Sequence, residues 1–225
     1  MAPELQVDDA WRRAFPGAAA GWLVLSGAAN PPGPAALEPA RREVIARLRE
    51  RFPDRAAIKA DPVMAAYQAF YKRFQKSYHV AQQVESVAVK GKEPPRPGAL
   101  VEAMFLAELD SGLLTAGHDA AALEGTVRLS AAGGGEVYTT LAGAERRLKP
   151  GDMCMADQAG VISAVLYGPD SRTRLRPETV SAAFAVYAAP GVGPAAVAAH
   201  LERLAELVRL AAPAAAVKLL QTPAA

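Results

Sequence analysis

The amino-acid sequence predicts an α+β protein in which helices flank a mixed or antiparallel sheet. Three observations lead there. Apolar residues recur at helical spacing in separate blocks before residue 112 and again after residue 194. Between those blocks the period changes to two and glycine-rich turns appear, the pattern of short strands. Hydrophobic residues at 51% against charged residues at 21%, in a chain of 225, can form one domain with its own core. Aromatic residues are only 6%, so small aliphatic side chains must fill much of that core.

Residues 22–26 read as a buried strand, short, apolar and bounded by Gly21 and Gly27. Residues 35–52 read as a helix, with Leu37, Val44, Leu48 and Phe52 on one face. Glu43 precedes Arg47 by four residues, the favourable order for a helical ion pair. Asp61 and Pro62 start the next helix as N-cap and first helical residue. It carries Val63, Tyr67, Phe70, Tyr71 and Phe74 as an aromatic core stripe. The stretch 74–80 breaks it, and another helix follows with Val80, Val84 and Val87 inward. Residues 92–98, KEPPRPG, are a linker loop. Pro97 then opens a helix with Leu100, Val101, Met104, Phe105 and Leu109 buried and Gly112 as its C-cap.

In the second half, residues 126–130 and 136–141 alternate around Gly133, Gly134 and Gly135, a hairpin signal. Strands follow on both sides of the turn 157–160, and residues 181–188 form a further strand. A last amphipathic helix covers 195–210, with Val197, Leu201, Leu204 and Val208 on one side. The alanine- and proline-rich tail 212–225 is expected to fray. The whole chain, 1–225, is read as a single domain.

Lys plus Arg number 25 against 23 Asp plus Glu, a net charge of +2, and the sequence pI is about 8.7. That field is too weak to announce a nucleic-acid partner. A lone cysteine, Cys154, excludes an internal disulfide and a cysteine-based zinc finger. The N-terminus carries Glu4, Asp8 and Asp9 and has no apolar signal region, and the apolar run 18–29 is too short to span a bilayer. The expectation is a cytoplasmic protein with no membrane partner and Cys154 reduced.

The order LLTAGHD (113–119), LEG (123–125), PGDMCMAD (150–157), GV (160–161) and SRTRLRPET (171–179) resembles the B3/B4 domain of the β subunit of bacterial phenylalanyl-tRNA synthetase. That domain also occurs in stand-alone proteins. The resemblance covers about residues 40–210, with the first strand and helix packed on that region. It implies a sheet and helices that enclose a pocket. In the synthetase this pocket hydrolyses tyrosine wrongly attached to phenylalanine tRNA, and stand-alone members are described as RNA-binding. Gly112, Asp119, Glu124 and Gly125 match the family pattern as structural positions. The editing residues do not match: Met104 and Phe105 stand where the synthetase has a polar pair, Ala116 where it has a histidine, and Ala185 near its glutamate. The fold is implied; the editing chemistry is not.

Candidate ligand-binding residues are His79, Gln83, His118, Arg172 and Thr173, with Tyr78 and Phe105 as walls. They sit at segment ends, where site residues gather. The histidines offer proton chemistry near neutrality, and Arg172 offers a planar cation for a carboxylate or phosphate. One pocket lined by all seven is the expectation. Asp119 is read as the cap of a following helical turn, Cys154 as buried and inert, and Glu108 as the partner of an arginine. Glu102 and Glu108, six residues apart on one helix, point about 120° from each other and are no acid–base pair. No catalytic residue is assigned. His79, His118, Cys154 and Asp157 lack ligand spacing, and PGVGP (190–194) has prolines where a phosphate loop needs N–H groups, so no metal or cofactor is expected. The function expected is that of a B3/B4-type protein binding RNA, tRNA or a small amino-acid-like ligand. The alternative is a stand-alone hydrolase acting on an aminoacyl ester.

Overall fold

The computed structural model describes residues 2–225. A short strand, β1 (Leu5–Val7), and a short helix, α1 (Asp9–Ala14), open the chain. Strand β2 (Ala19–Ser26) follows. A 3-10 turn leads into α2 (Glu38–Arg51), and α3 (Arg55–Ala60), α4 (Pro62–Lys72), α5 (His79–Val84) and α6 (Ala99–Ser111) complete the helical half. Strands β3 (Thr115–Asp119), β4 (Val127–Ala131), β5 (Val137–Thr139), β6 (Glu145–Arg147), β7 (Met153–Asp157), β8 (Gly160–Ala164), β9 (Gly168–Pro169) and β10 (Ser181–Ala188) come next. Helix α7 (Pro194–Ala211) and strand β11 (Ala216–Gln221) end the chain. The fold is α+β.

Two sheets carry the core. One has four antiparallel strands in the order β11-β2-β10-β3, the other five in the order β1-β4-β7-β8-β9 with β1 parallel to β4. Helices α6 and α7 cover one face of the four-stranded sheet. A Cβ on Gly21 would come within 2.6 Å of Val197, so glycine lets α7 lie directly on β2. Side chains two apart share a face. Val186, paired with Gly21, therefore faces α7, and Tyr187 faces the other sheet, where its hydroxyl meets Ser163 Oγ at 2.5 Å. Ala116, His118, Ala183 and Ala185 lie on that inter-sheet face.

The local signals set several elements as expected. Asp61 accepts from the Val63 and Met64 N–H groups, and Gly112 ends α6 with φ +74°. Asp119 caps a 3-10 turn by accepting from Ala121 N. Alternation in β7 puts Met153 and Met155 in the main core and Cys154 in a small second cluster with Tyr138 and Leu148.

Other expectations are corrected. Strand β4 pairs with β1 and β7, not with β5. The triple glycine is no hairpin turn: Glu136 accepts from the Gly133 and Gly134 N–H groups, and β5 pairs with β6 as a separate inserted hairpin. The tail does not fray, because β11 pairs with the otherwise open edge of β2. On α6, Leu100 and Leu109 are buried, but Val101, Met104 and Phe105 are only half-buried. Glu102 and Glu108 are buried instead. Glu102 meets Arg41 at 2.7 Å, whereas Glu108 accepts from Thr115 N at 2.7 Å and has no arginine partner. Elements β1, α1, α3, β3 and β6 add to those the sequence predicts. Among the described residues no helix is long and apolar enough to cross a membrane.

Candidate functional site

A groove of about 380 Å³ lies between α5, the loop 92–98 and α6. His79 and Gln83 line it from α5, Phe105 from α6, and Lys92, Pro94 and Pro95 from the loop. After Val84 the α5 helix widens into a π-helical turn, Glu85–Val89, whose Ser86 and Val87 extend the wall. Such turns are uncommon and concentrate at functional sites.

The loop wall is built from below by Arg41, an arginine only 1% exposed. Its guanidinium donates to Glu102 Oε1 at 2.7 Å, to the Pro94 carbonyl at 2.8 Å and to the Pro95 carbonyl at 3.4 Å. Glu102 is 2% exposed, so the pair is a buried ion pair that pins two prolines. Asn30 Oδ1 accepts from Leu100 N, and it lies 2.8 Å from where a Cβ on Gly98 would stand. The loop is thus held at both ends.

His79 is the groove's imidazole, beside the charged side chains of Lys92 and Glu93. Its Nδ1 lies 3.4 Å from the Tyr71 hydroxyl, and that hydroxyl donates to the Val165 carbonyl at 2.8 Å. With its proton committed, Tyr71 can only accept, which places the histidine proton on Nδ1 and leaves Nε2 as an acceptor. Packing of the ring against Tyr71 and Tyr78 holds the pKa below the ordinary value, so His79 is neutral at pH 7. Gln83 Oε1 is buried with no hydrogen-bond partner. Its desolvation is uncompensated until a donor arrives.

The seven residues expected to share one pocket divide between two places. His79, Gln83 and Phe105 share the groove. Tyr78 is fully buried beneath it, stacked on Tyr67 at 4.3 Å, with its hydroxyl donating to the Gly112 carbonyl. His118, Thr173 and Arg172 are not among the groove's lining residues. His118 is fully buried on the inter-sheet face, and its Nδ1 lies 2.7 Å from Thr173 Oγ1. The Thr173 hydroxyl donates to Asp170 Oδ1, so it accepts from His118. Burial pushes the His118 pKa down to about 3, and its Nε2 has no partner. Arg172 donates to Asp157 and to the Ala122 carbonyl, both at 2.7 Å. The His118–Thr173 contact and a bridge between His118 and Arg174 staple the loop 170–176 to strand β3, and Arg172 ties it to β7. The guanidinium already faces two carboxylates, Asp157 at 2.7 Å and Asp170 at 3.7 Å, so its charge is neutralised within the fold.

Sequence reasoning missed Arg41, Ser86 and Lys92. Arg41 sits in a charged stretch that reads as a solvated face, and only the folded loop shows that it is buried. The positions of the editing pattern remain apolar: Ala116 pairs with Ala185 inside the sheet, and Met104 packs near Gly117. Burial raises the Cys154 thiol to about 12, so it is no nucleophile. Among the described residues no three His, Cys, Asp or Glu side chains gather to hold a metal ion.

No protein-family model and no curated protein matches the sequence. Among solved structures, the chain is similar to an N-terminal fragment of the phenylalanyl-tRNA synthetase β-subunit from Pyrococcus horikoshii. The identity is 12% and the TM-score 0.49, over 92% of this chain and 48% of that one. The chain spans about half the length of that structure.

Proposed function

We propose that this protein is a binding module whose groove takes a small amino-acid-like ligand, without chemistry on it. The observation that carries the reading is Gln83 Oε1, a buried acceptor without a partner in a groove that is already open. Turned into the groove, that oxygen would take an N–H donor, such as an ammonium or amide of the ligand. Around it stand a neutral His79, an apolar wall of Phe105, Val87 and two prolines, and Lys92 beside Glu93. Lys92 supplies a cation at the rim, and Glu93 a carboxylate that also lies 3.8 Å from Arg41. About 380 Å³ is the size of a small-molecule site, and few polar groups on an apolar wall is its usual composition.

Hydrolysis is the weaker reading. Ser86 lines the groove but makes no hydrogen bond to His79, and no carboxylate orients the imidazole. An activated nucleophile needs both contacts. An RNA backbone is likewise poorly served, since Lys92 is the groove's one cationic side chain among the lining residues.

Calorimetric titration of the full chain with free amino acids, N-acyl amino acids and dipeptides tests the proposal. At least one class should bind saturably, and Gln83→Leu should weaken it with little change in melting temperature. If no member of the panel binds, or if Gln83→Leu and His79→Ala leave binding unchanged, the proposal fails. Release of product from an aminoacyl ester, lost in His79→Ala, would replace it with the hydrolase reading.

A further inference from the structure

A second, larger cavity of about 610 Å³ lies on the other side of α5, between α3, α4 and residues 77–81. Its apolar lining is Ile58 from α3, Met64, Ala65 and Ala69 from α4, and Ala81. Ala65 and Ala69 are one turn apart on α4, on the face away from the buried Tyr67, Phe70 and Tyr71. Where large side chains would close the surface, two alanines leave a trough. A further cavity of about 210 Å³ shares Ile58, Lys59, Gln68 and Ser77 with it and continues it towards Arg55 and Glu85. The roof, α3, is anchored by one buried side chain, Ile58, and by the Arg55–Glu85 ion pair at 2.7 Å.

Charge separates this trough from an ordinary surface dent. Lys59 and Lys72 line it, both exposed, and among the described residues neither has a carboxylate within ion-pair distance. The one acid at its far end, Glu85, is already held by Arg55 and Lys90. The amide of Gln68 is also committed, accepting from Tyr78 N and donating to the Lys76 carbonyl. What remains is an aliphatic floor with unneutralised ammonium groups at the rim. That combination complements a carboxylate head on an aliphatic chain.

We infer that this trough binds a medium-chain fatty carboxylate, with its chain along Ala65 and Ala69 and its head between Lys59 and Lys72. The methionine on the floor suits such a ligand, because its flexible thioether adapts to an aliphatic surface.

The test is titration of the full chain with decanoate below its micelle-forming concentration, with decanol as the uncharged control. Saturable binding is expected, abolished by Ala69→Trp and weakened about tenfold in the surface variant Lys59→Glu/Lys72→Glu. The double charge variant lies on exposed side chains, so it keeps the test decisive if Ala69→Trp misfolds. Absence of saturable binding overturns the inference. So does equal binding by the charge variant, or by decanol. A dimer in solution that Ala69→Trp dissociates would give the trough to a second copy of the chain and overturn it too.

Discussion

The Nδ1 of His79 rests 3.4 Å from a Tyr71 hydroxyl whose proton is already given to the Val165 carbonyl, so the tautomer is fixed by a backbone oxygen of the sheet half. The relationship ties the protonation of the groove to the fold. Although the residue is exposed overall, partial desolvation of the ring against Tyr71 and Tyr78 disfavours the imidazolium and lowers its pKa from the ordinary value.

His79 should therefore be neutral at pH 7, with a proton-NMR titration midpoint below 6.5. Binding in the groove should be flat near neutrality and should fall as the pH drops through that lowered midpoint. In His79→Gln the acid limb should vanish. A midpoint above 6.5, or the same limb in the variant, would show that Tyr71 does not set the state of this ring.

Arg41 and Glu102 make a second prediction. Removing one member of a buried ion pair strands the other charge, at a cost of about 3–5 kcal/mol. Arg41→Met alone should lower stability by that order and free Pro94 and Pro95 from their donor. The double variant Arg41→Met/Glu102→Leu should recover most of the stability, because the stranded carboxylate is gone. The groove should remain loosened in both, since neither restores the donor to the loop. Urea denaturation reads the first effect and hydrogen exchange at Lys92 and Glu102, whose amides bond to Ser86 and Gly98, the second.

What the sequence made legible were features settled within a few residues. Asp61 with Pro62, Gly112, and the short apolar run Ser181–Ala188 need no distant partner to be read, and the structure has them in place. Pairing is different. Alternation shows that 126–130 is a strand but not that Arg128 will face Ala156 rather than the next strand along the chain. The tail reads as Ala/Pro filler because nothing local announces that β2 has a free edge needing Val217 and Leu219. The same limit divided the candidate site. Residue type marked His79, Gln83 and His118 equally, yet position on β3 turns His118 towards the other sheet and into a staple with Thr173.

Glu108 carries the third prediction. It is buried, its only hydrogen-bond donor among the described residues is Thr115 N, and desolvation raises its pKa to about 8. The folded state therefore holds a proton that the unfolded chain releases near 4.5. Stability from this group is full below pH 4.5 and is lost as the pH rises through 8. His118 and His200 act in the opposite sense. Their folded pKa values, about 3 and about 4, lie below 6.5, so their contribution is full above 6.5 and falls as the pH drops below it. Glu108→Gln should raise the melting temperature at pH 8 more than at pH 5, by an order of about 2 kcal/mol in stability at the higher pH. An equal shift at both values would mean that Glu108 is ionised in the folded protein.

The last prediction concerns the turn that delivers the chain from α4 to the groove. Gln75 has φ +58°, the one non-glycine residue with a positive φ among those described. It follows the last turn of α4, where Gln75 N bonds to the Lys72 carbonyl and Lys76 N to the Tyr71 carbonyl. This is the kind of helix end that glycine normally terminates, because a Cβ in the left-handed region crowds the backbone. Glycine would remove that crowding and keep both bonds, but it would also widen the unfolded ensemble. Relief of the strained backbone, about 1 kcal/mol, outweighs or matches that loss at a left-handed position. Gln75→Gly should thus raise the urea midpoint slightly, by up to about 1 kcal/mol, without altering the slope of the transition. A β-branched residue in the same place, Gln75→Val, should lower it. Should Gln75→Gly destabilise and Gln75→Val not, the turn would have to be held by a contact of the glutamine side chain rather than by backbone geometry.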